Sequence, residues 1–441
     1  MKRVWKVIFI VSLFLIQYQS SVFSQQGIGE LEDSLSYFVK NKVHNEQTLR
    51  IIHRLAQSYQ VRNPAKALEY AVRLRLMSKK EDNKQYLAAS YKITGDIYMA
   101  KDISQQALEA YNQAFLYYKK INDQTKAAHC LINSSRVLRK QKKYEMALTT
   151  LSEAVKLYKI CPPREKNNGL AEAFNQTGLV RYQQKQWNKA LEHFQKTLNL
   201  GDEIAPEIIA ETHINIGKVY GKMKNQSAAI NHFWQANSIF ETQEKLLEIG
   251  KTLRHIGRVY QQNDSASAAL HFYFKANEKF TQTNNEICGA ETLLDICRLY
   301  SEKNDFTKAF LYLEKAKKIA VRNNALPILA KIYKQFTTLN TKNNNFEKAL
   351  FYQEKYNEVK DSIHGKKLSE AIESAKFSNS TSLIEEEIED LNNHSKNQQK
   401  IVVLIGVIAF LVLGIAIVFF VFYKFKTKST KFLNSILNSM P

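Results

Sequence analysis

Alanines in similar contexts return at Ala67, Ala107, Ala147, Ala190, Ala229, Ala269, Ala309 and Ala349, at spacings of 40, 40, 43, 39, 40, 40 and 40 residues. A unit of this length cannot bury its own apolar face, so successive copies must stack in a row and share one continuous core. Around the alanines one frame recurs: Gly95-Tyr98-Ala107-Tyr111-Ala114, Gly217-Tyr220-Ala229-Phe233-Ala236, Gly257-Tyr260-Ala269-Tyr273-Ala276 and Cys297-Tyr300-Ala309-Leu313-Ala316. Small residues twelve apart, then a large one, then a small one, describe two helices crossing closely. Glycine inside a helix costs about 1 kcal/mol relative to alanine, so its return at one phase of the repeat implies a neighbouring helix there. An aromatic three residues before the alanine (Tyr144, Trp187, Phe306, Phe346) closes the joint in half of the units, and polar clusters such as Asn263 to Ser265 and Lys342 to Asn345 supply turns. The one long spacing coincides with Cys161-Pro162-Pro163 and a polar run to Asn168, which reads as a loop insertion. With only 14 Gly and 6 Pro against 22 Tyr and 24 Phe, the chain lacks the punctuation of a strand-rich fold. The expected class is all-α: a solenoid of about eight helical hairpins over residues 48–365, behind an N-terminal helical cap at 25–47.

Two apolar segments predict the topology. Lys2, Arg3 and Lys6 precede an uncharged run from Val7 to Ile16, and Val22-Phe23-Ser24 offers tolerated cleavage positions, so residues 1–24 read as a secretory signal peptide. No cysteine follows the cleavage point, which argues against a lipoprotein anchor. Ile401 to Tyr423 is a second run of 23 uncharged residues; as a helix it would span roughly 34 Å against a hydrocarbon core of ~30 Å. The segment 401–423 is therefore expected to be one transmembrane helix. Lys424, Lys426, Lys428 and Lys431 follow it, and the positive-inside rule assigns the tail 424–441 to the cytoplasm. The solenoid is then periplasmic, on a single-pass protein of a bacterial inner membrane.

The net charge of +21 falls mostly on residues 25–365, because the leader supplies three cations, the tail four, and the stretch 366–400 is net acidic. Such a balance would ordinarily suggest nucleic acid, but the expected compartment holds none in regular supply. An acidic peptide or protein, or another anionic ligand, is the expected partner. Cys130, Cys161, Cys288 and Cys297 form no CxxC pair, so neither a zinc site nor a disulfide framework is expected and core filling is their expected role. The ten His show no HExxH, and no nucleophile elbow, GxxxxGK[ST] or GxGxxG occurs. No catalytic residue, metal or cofactor is assigned; an enzymatic reading would require domains beyond Pro441, such as a histidine kinase.

The small-x2-Tyr and Ala-x3-aromatic elements resemble the tetratricopeptide repeat (TPR), a helix–turn–helix unit of about 34 residues. The match is good in units two, five and six, and it covers roughly three quarters of the chain; the 40-residue period and the missing closing proline are departures that imply longer helices. In the fourth unit Gly178 is followed by Arg181, with Tyr182 one place later. The resemblance implies that the first helix of each unit lines a concave face, at places six and three before the small residue and one and four after it. Those places hold His129, Ile132, Arg136 and Arg139 in unit three and Lys218 in unit five, then Lys251, Arg254 and Arg258 in unit six. Arg298 in unit seven and Lys331 and Lys334 in unit eight complete the set, with Glu172, Glu211 and Glu291 interspersed. This implies a basic channel for an acidic peptide or anionic ligand, with arginine forks on carboxylates; a merely solvated basic face is the competing reading. Asn133 and Asn215, two before the small residue, stand where some family members bind peptide backbone, though Asn also bonds readily to its own neighbourhood. His255 and Asp295 take that place in units six and seven.

Between array and membrane, residues 366–400 carry Ile384, Ile388 and Leu391 among Glu385 to Asp390, the pattern of a juxtamembrane helix with a short coiled-coil seam that would pair two copies. Leader, repeat array, charged helix, single span and basic tail resemble the sensor half of bacterial membrane histidine kinases. That order implies signal relay across the membrane, with 424–441 as the start of an absent PAS or kinase domain. A membrane-tethered scaffold for envelope proteins, without signalling, is the alternative.

Overall fold

The computed structural model describes residues 27–38 and 45–366 except 202, together with 369, 376, 377 and 404. The expected leader, all of the expected span 401–423 but residue 404, the tail 424–441 and most of the stretch 366–400 lie outside the described residues. Among the described residues no helix is long and apolar enough to cross a membrane.

A short helix α1 (27–38) precedes eight antiparallel hairpins. These are α2–α3 (Glu46–Tyr59, Pro64–Lys80), α4–α5 (Lys84–Ala100, Ser104–Lys120), α6–α7 (Gln124–Lys140, Tyr144–Tyr158) and α8–α9 (Pro163–Gln183, Trp187–Leu198). The rest are α10–α11 (Pro206–Lys222, Gln226–Thr242), α12–α13 (Leu246–Gln262, Ala266–Gln282), α14–α15 (Glu286–Glu302, Phe306–Arg322) and α16 (Leu326–Lys342) with α17 (346–366). The fold is a TPR-like α-solenoid, and each of the eight alanines lies buried in the second helix of its hairpin.

The 40-residue period has a simple mechanical origin. The typical helix has 17 residues, as in α3 to α6 and α10 to α16. A three-residue turn follows each of them, so two helices and two turns make one unit. The middle turn residue adopts positive φ without being glycine, at Asp82, Asp102, Asn122, Lys142 and Lys185 and then at regular intervals from Lys224 to Asn344. Asn and Asp bear the left-handed conformation better than most residues, which is how the chain turns so often with so few glycines. The next residue closes one helix and opens another. The Asn83 N–H donates to Ser78 C=O (2.8 Å), closing α3 as a Schellman cap, while its side-chain oxygen accepts from the Tyr86 N–H (3.2 Å) to cap α4. Asp123, Asn225, Asn285 and Asp305 do the same.

Within a hairpin the repeated glycine is required by close approach. A Cβ at Gly95, Gly217 or Gly257 would stand 2.7–2.8 Å from the ring of Tyr111, Phe233 or Tyr273. Those rings, four residues after the alanine, are fully buried or nearly so. Beside them the tyrosine three after the small residue stacks on the ring three after the alanine: Tyr260 on Phe272 at 5.4 Å and 4°, Tyr300 on Tyr312 at 5.5 Å and 1°, and Tyr220 on His232 at 5.7 Å and 13°. Each such pair adds about 0.5–1.5 kcal/mol beyond area burial.

One expectation is corrected. The run from Pro163 to Asn168 is not a loop, because Pro163 starts α8 and extends it to 21 residues. A proline in the first helical turn loses no hydrogen bond and is pre-set in φ. At the other end, α1 buries Leu35 with Leu49, Ile52 and Leu55, and Glu32 accepts from Tyr59 and Tyr70 (2.9 Å each) while pairing with Lys66 (2.5 Å).

Candidate binding face

First helices of neighbouring units approach one another, α6 with α8 and α8 with α10 for example, whereas no comparable approach joins second helices among α2–α16. The first helices therefore line the inner side of the curve. In this geometry a side chain reaches its counterpart in the next unit, one repeat period further along the chain.

In units six to eight most of the inner cations are consumed by acids, several of them in this way. Arg254 donates through Nε to Asp295 (2.8 Å) and through Nη1 to Glu291 (2.6 Å). Arg258 and Arg298 reach the same Asp295 at 3.1 Å each, and Asp295 has only 3% of its side chain exposed. Lys331 approaches Glu291 at 3.5 Å. Burial pushes the Glu291 carboxyl up, but Arg254 and Lys331 outweigh it and hold it below the usual carboxylate range. Lys251 pairs within its own helix with Glu248 (2.8 Å), and Lys334 is exposed without an ion pair. Four of the predicted site residues, Arg254, Arg258, Arg298 and Lys331, are thus brought together around two acids. Glu291 was recognised in the sequence as an inner-face acid, but neither it nor Asp295 was assigned as a partner. Their separation from Arg254 by about one repeat period was the available signal.

Units three to five differ. Arg136 pairs with Glu172 and donates to Asn133 Oδ1 (2.8 Å), so Asn133 serves a local bond. The Asn215 amide donates to Asn175 Oδ1 (3.2 Å) in the buried interface between units four and five. Lys218 is half-buried and makes no ion pair; burial pushes its pKa down, with Glu211 opposing. At the interval where Arg258 finds Asp295, Lys218 finds His255. That imidazole stacks on Phe233 at 5.3 Å and 9°, and burial, aided by Lys218, Arg258 and Arg254, pushes its pKa to about 3. Arg139 likewise makes no ion pair: burial and then Arg136 lower its pKa, with Glu211 opposing, and its Nε is buried without a partner. Arg136 and Arg139 share a cavity of about 390 Å³ with Met99, Val137, Tyr144 and Gln183.

Elsewhere His213 and His232 bring their Nδ1 atoms to 3.0 Å, a single shared-proton contact; burial, then His232, pushes His213 to about 4. Among the described residues no group of three or more side chains suits a metal ion. All four cysteines are free, three of them buried and Cys288 half-buried.

Solved structures share the architecture. Aspartyl phosphate phosphatase F from Bacillus subtilis is 16% identical over 76% of this chain and 94% of its own, with a TM-score of 0.52. The STAND protein with a tetratricopeptide repeat sensor from Pyrococcus horikoshii is 14% identical over 74% of this chain and 55% of its own, also at 0.52. At such identities the likeness establishes the fold alone. No curated protein matches the chain. Residues 161–386, from the end of unit three through unit eight, match the family described as soluble NSF attachment protein, SNAP, a family of TPR-like helical repeats. That match spans just over half of the sequence, and the chain belongs to the soluble NSF attachment protein family.

Proposed function

We propose that the protein is a docking module that takes an acidic segment of a protein partner along the inner face of its solenoid. The observation that carries this reading is Lys218, a desolvated cation without an ion pair, three residues beyond Asn215 and close enough to the neutral His255 to act on it electrostatically. A desolvated charge that Glu211 offsets only in part is costly, and a ligand carboxylate would repay that cost with a charge-assisted hydrogen bond. Arg139 offers a second such donor. Membership of a family named for attachment supports docking as the role. A fluorescent oligoglutamate peptide tests it: Lys218→Glu with Arg139→Glu should weaken binding at least tenfold, and salt should compete in the wild type. Equal binding by the double variant would remove the groove reading.

The same proposal extends to the cell envelope. The leader and the 401–423 segment support an inner-membrane protein with a periplasmic solenoid, relaying occupancy through one span as the sensor part of a two-component-type receptor. The scaffold reading keeps the anchor and drops the relay. A periplasmically active phosphatase should work when fused after Gly365 and be silent after Lys431; equal activity would end the single-span proposal. A transmitter region in frame after Pro441 or in a neighbouring gene supports relay, and its lack favours the scaffold.

A further inference from the structure

Phe377 lies beyond the last hairpin in sequence yet packs on the second and third units. Its half-buried ring rests on the apolar cluster of Tyr98, Ile103, Ala107, Tyr111 and Val137. It meets Tyr98 edge to face, with centroids 6.2 Å apart at 87°, and the Lys101 ammonium stands 5.9 Å from its centroid. Met99 packs against that cluster and Val137 belongs to it, and both also line the cavity that holds Arg136 and Arg139. Lys140 and Lys142 add to its basic wall, against one carboxylate, Asp102, which Lys140 engages at 2.7 Å.

An apolar floor with an ammonium against the ring, bordered by further cations, suits one chemistry in particular. The floor and the ammonium favour an aromatic ring, and the guanidinium and ammonium groups favour carboxylates beside it. The chain's own sequence has this character, for Phe377 is followed by Glu385, Glu386, Glu387, Glu389 and Asp390. We propose that Tyr98, Lys101 and the adjoining cavity form a subsite for an aromatic side chain carried on an acidic segment, with Phe377 as its occupant in cis, and that a partner of the same chemistry binds by displacing it. The displacement half rests on the inner face being a docking face; the resident contact does not. Ligand entry and the seating of Phe377 are thereby coupled, since both cannot hold the site at once.

The full-length protein serves for the test. A photoreactive benzoylphenylalanine at position 377 should cross-link to the tryptic peptide Ile93–Lys101; cross-links confined to other units overturn the proposal. A labelled peptide with the sequence of residues 376–391 should then bind Phe377→Ala about tenfold tighter than the wild type. A tethered copy at about a millimolar effective concentration occupies most of a site whose free-peptide Kd is ~0.1 mM. The same peptide with alanine for its phenylalanine should not bind. Equal affinity for wild type and Phe377→Ala, or equal binding of both peptides, overturns the proposal. If the cross-link and the tenfold gain hold while oligoglutamate ignores Lys218→Glu with Arg139→Glu, the groove reading fails and the subsite stands.

Discussion

Units six to eight and units three to five place cations at the same inner positions and treat them differently. Arg258 meets a buried carboxylate one repeat on, in Asp295, whereas Lys218 meets His255 at the same interval. Arg139 has Gln176 at that place. In one region Arg254, Arg258, Arg298 and Lys331 belong to the scaffold, and in the other Lys218 and Arg139 are left for something outside it. The local charge of a helix therefore says little about whether its cations can bind a ligand; the residue one repeat further along decides.

The largest effect should come from removing the acid on which the first region depends. Asp295→Ala strands Arg254, Arg258 and Arg298 around a desolvated site and should cost about 3 kcal/mol in urea unfolding, the low end for breaking a buried pair because Arg254 keeps Glu291. A loss below about 1 kcal/mol would mean that the cluster is surface electrostatics only.

Supplying the missing rung should convert the second region into the first. His255→Asp gives Lys218 an ion-pair partner and should lower oligoglutamate affinity about tenfold, equivalent to ~1.4 kcal/mol, with stability preserved. Unchanged affinity would show that the availability of Lys218 does not govern binding. Breaking the one paired rung of the central region, with Arg136→Ala, should cost about 0.5–1 kcal/mol, since both Arg136 and Glu172 remain partly exposed.

The smallest effect is a pH dependence centred on His255, the unit-six residue that stands one repeat beyond Lys218. The unfolded chain protonates His255 below its ordinary 6.5, while the folded protein resists until about 3. Its contribution to stability is therefore complete above pH 6.5 and is lost as pH falls toward 3. His213, pushed to about 4, acts in the same direction over a narrower window. His255→Phe, which keeps a ring on Phe233, should flatten the fall in Tm between pH 6.5 and 4, and an unchanged slope would place the acid sensitivity elsewhere.

Much of the fold was legible because helical packing repeats its local requirements. Gly217 and Phe233 must occur together wherever two helices cross that closely, so the frame returns in the letters of the sequence. Pro163 was misread because a proline with polar neighbours suits a loop and a first helical turn equally well, and only the four extra residues of α8 separate the two. The inner-face residues were found from the repeat resemblance, but their state was not. Charges in the sequence suggest a C-terminal groove that is basic on balance, with Glu172, Glu211 and Glu291 breaking the field, and Asp295 reads there only as a substitute for asparagine.

What the sequence alone determined is the period, the all-α class and the hairpin joints, each of which depends on contacts within one unit or on helical spacing; the candidate inner-face cations came from the repeat resemblance. The tertiary structure decided which cations are paired, that Lys218 and Arg139 make no ion pair, and that Phe377 sits on Tyr98. Those outcomes depend on the angle at which one unit stacks on the next and on how far the array curves, and no single repeat encodes either.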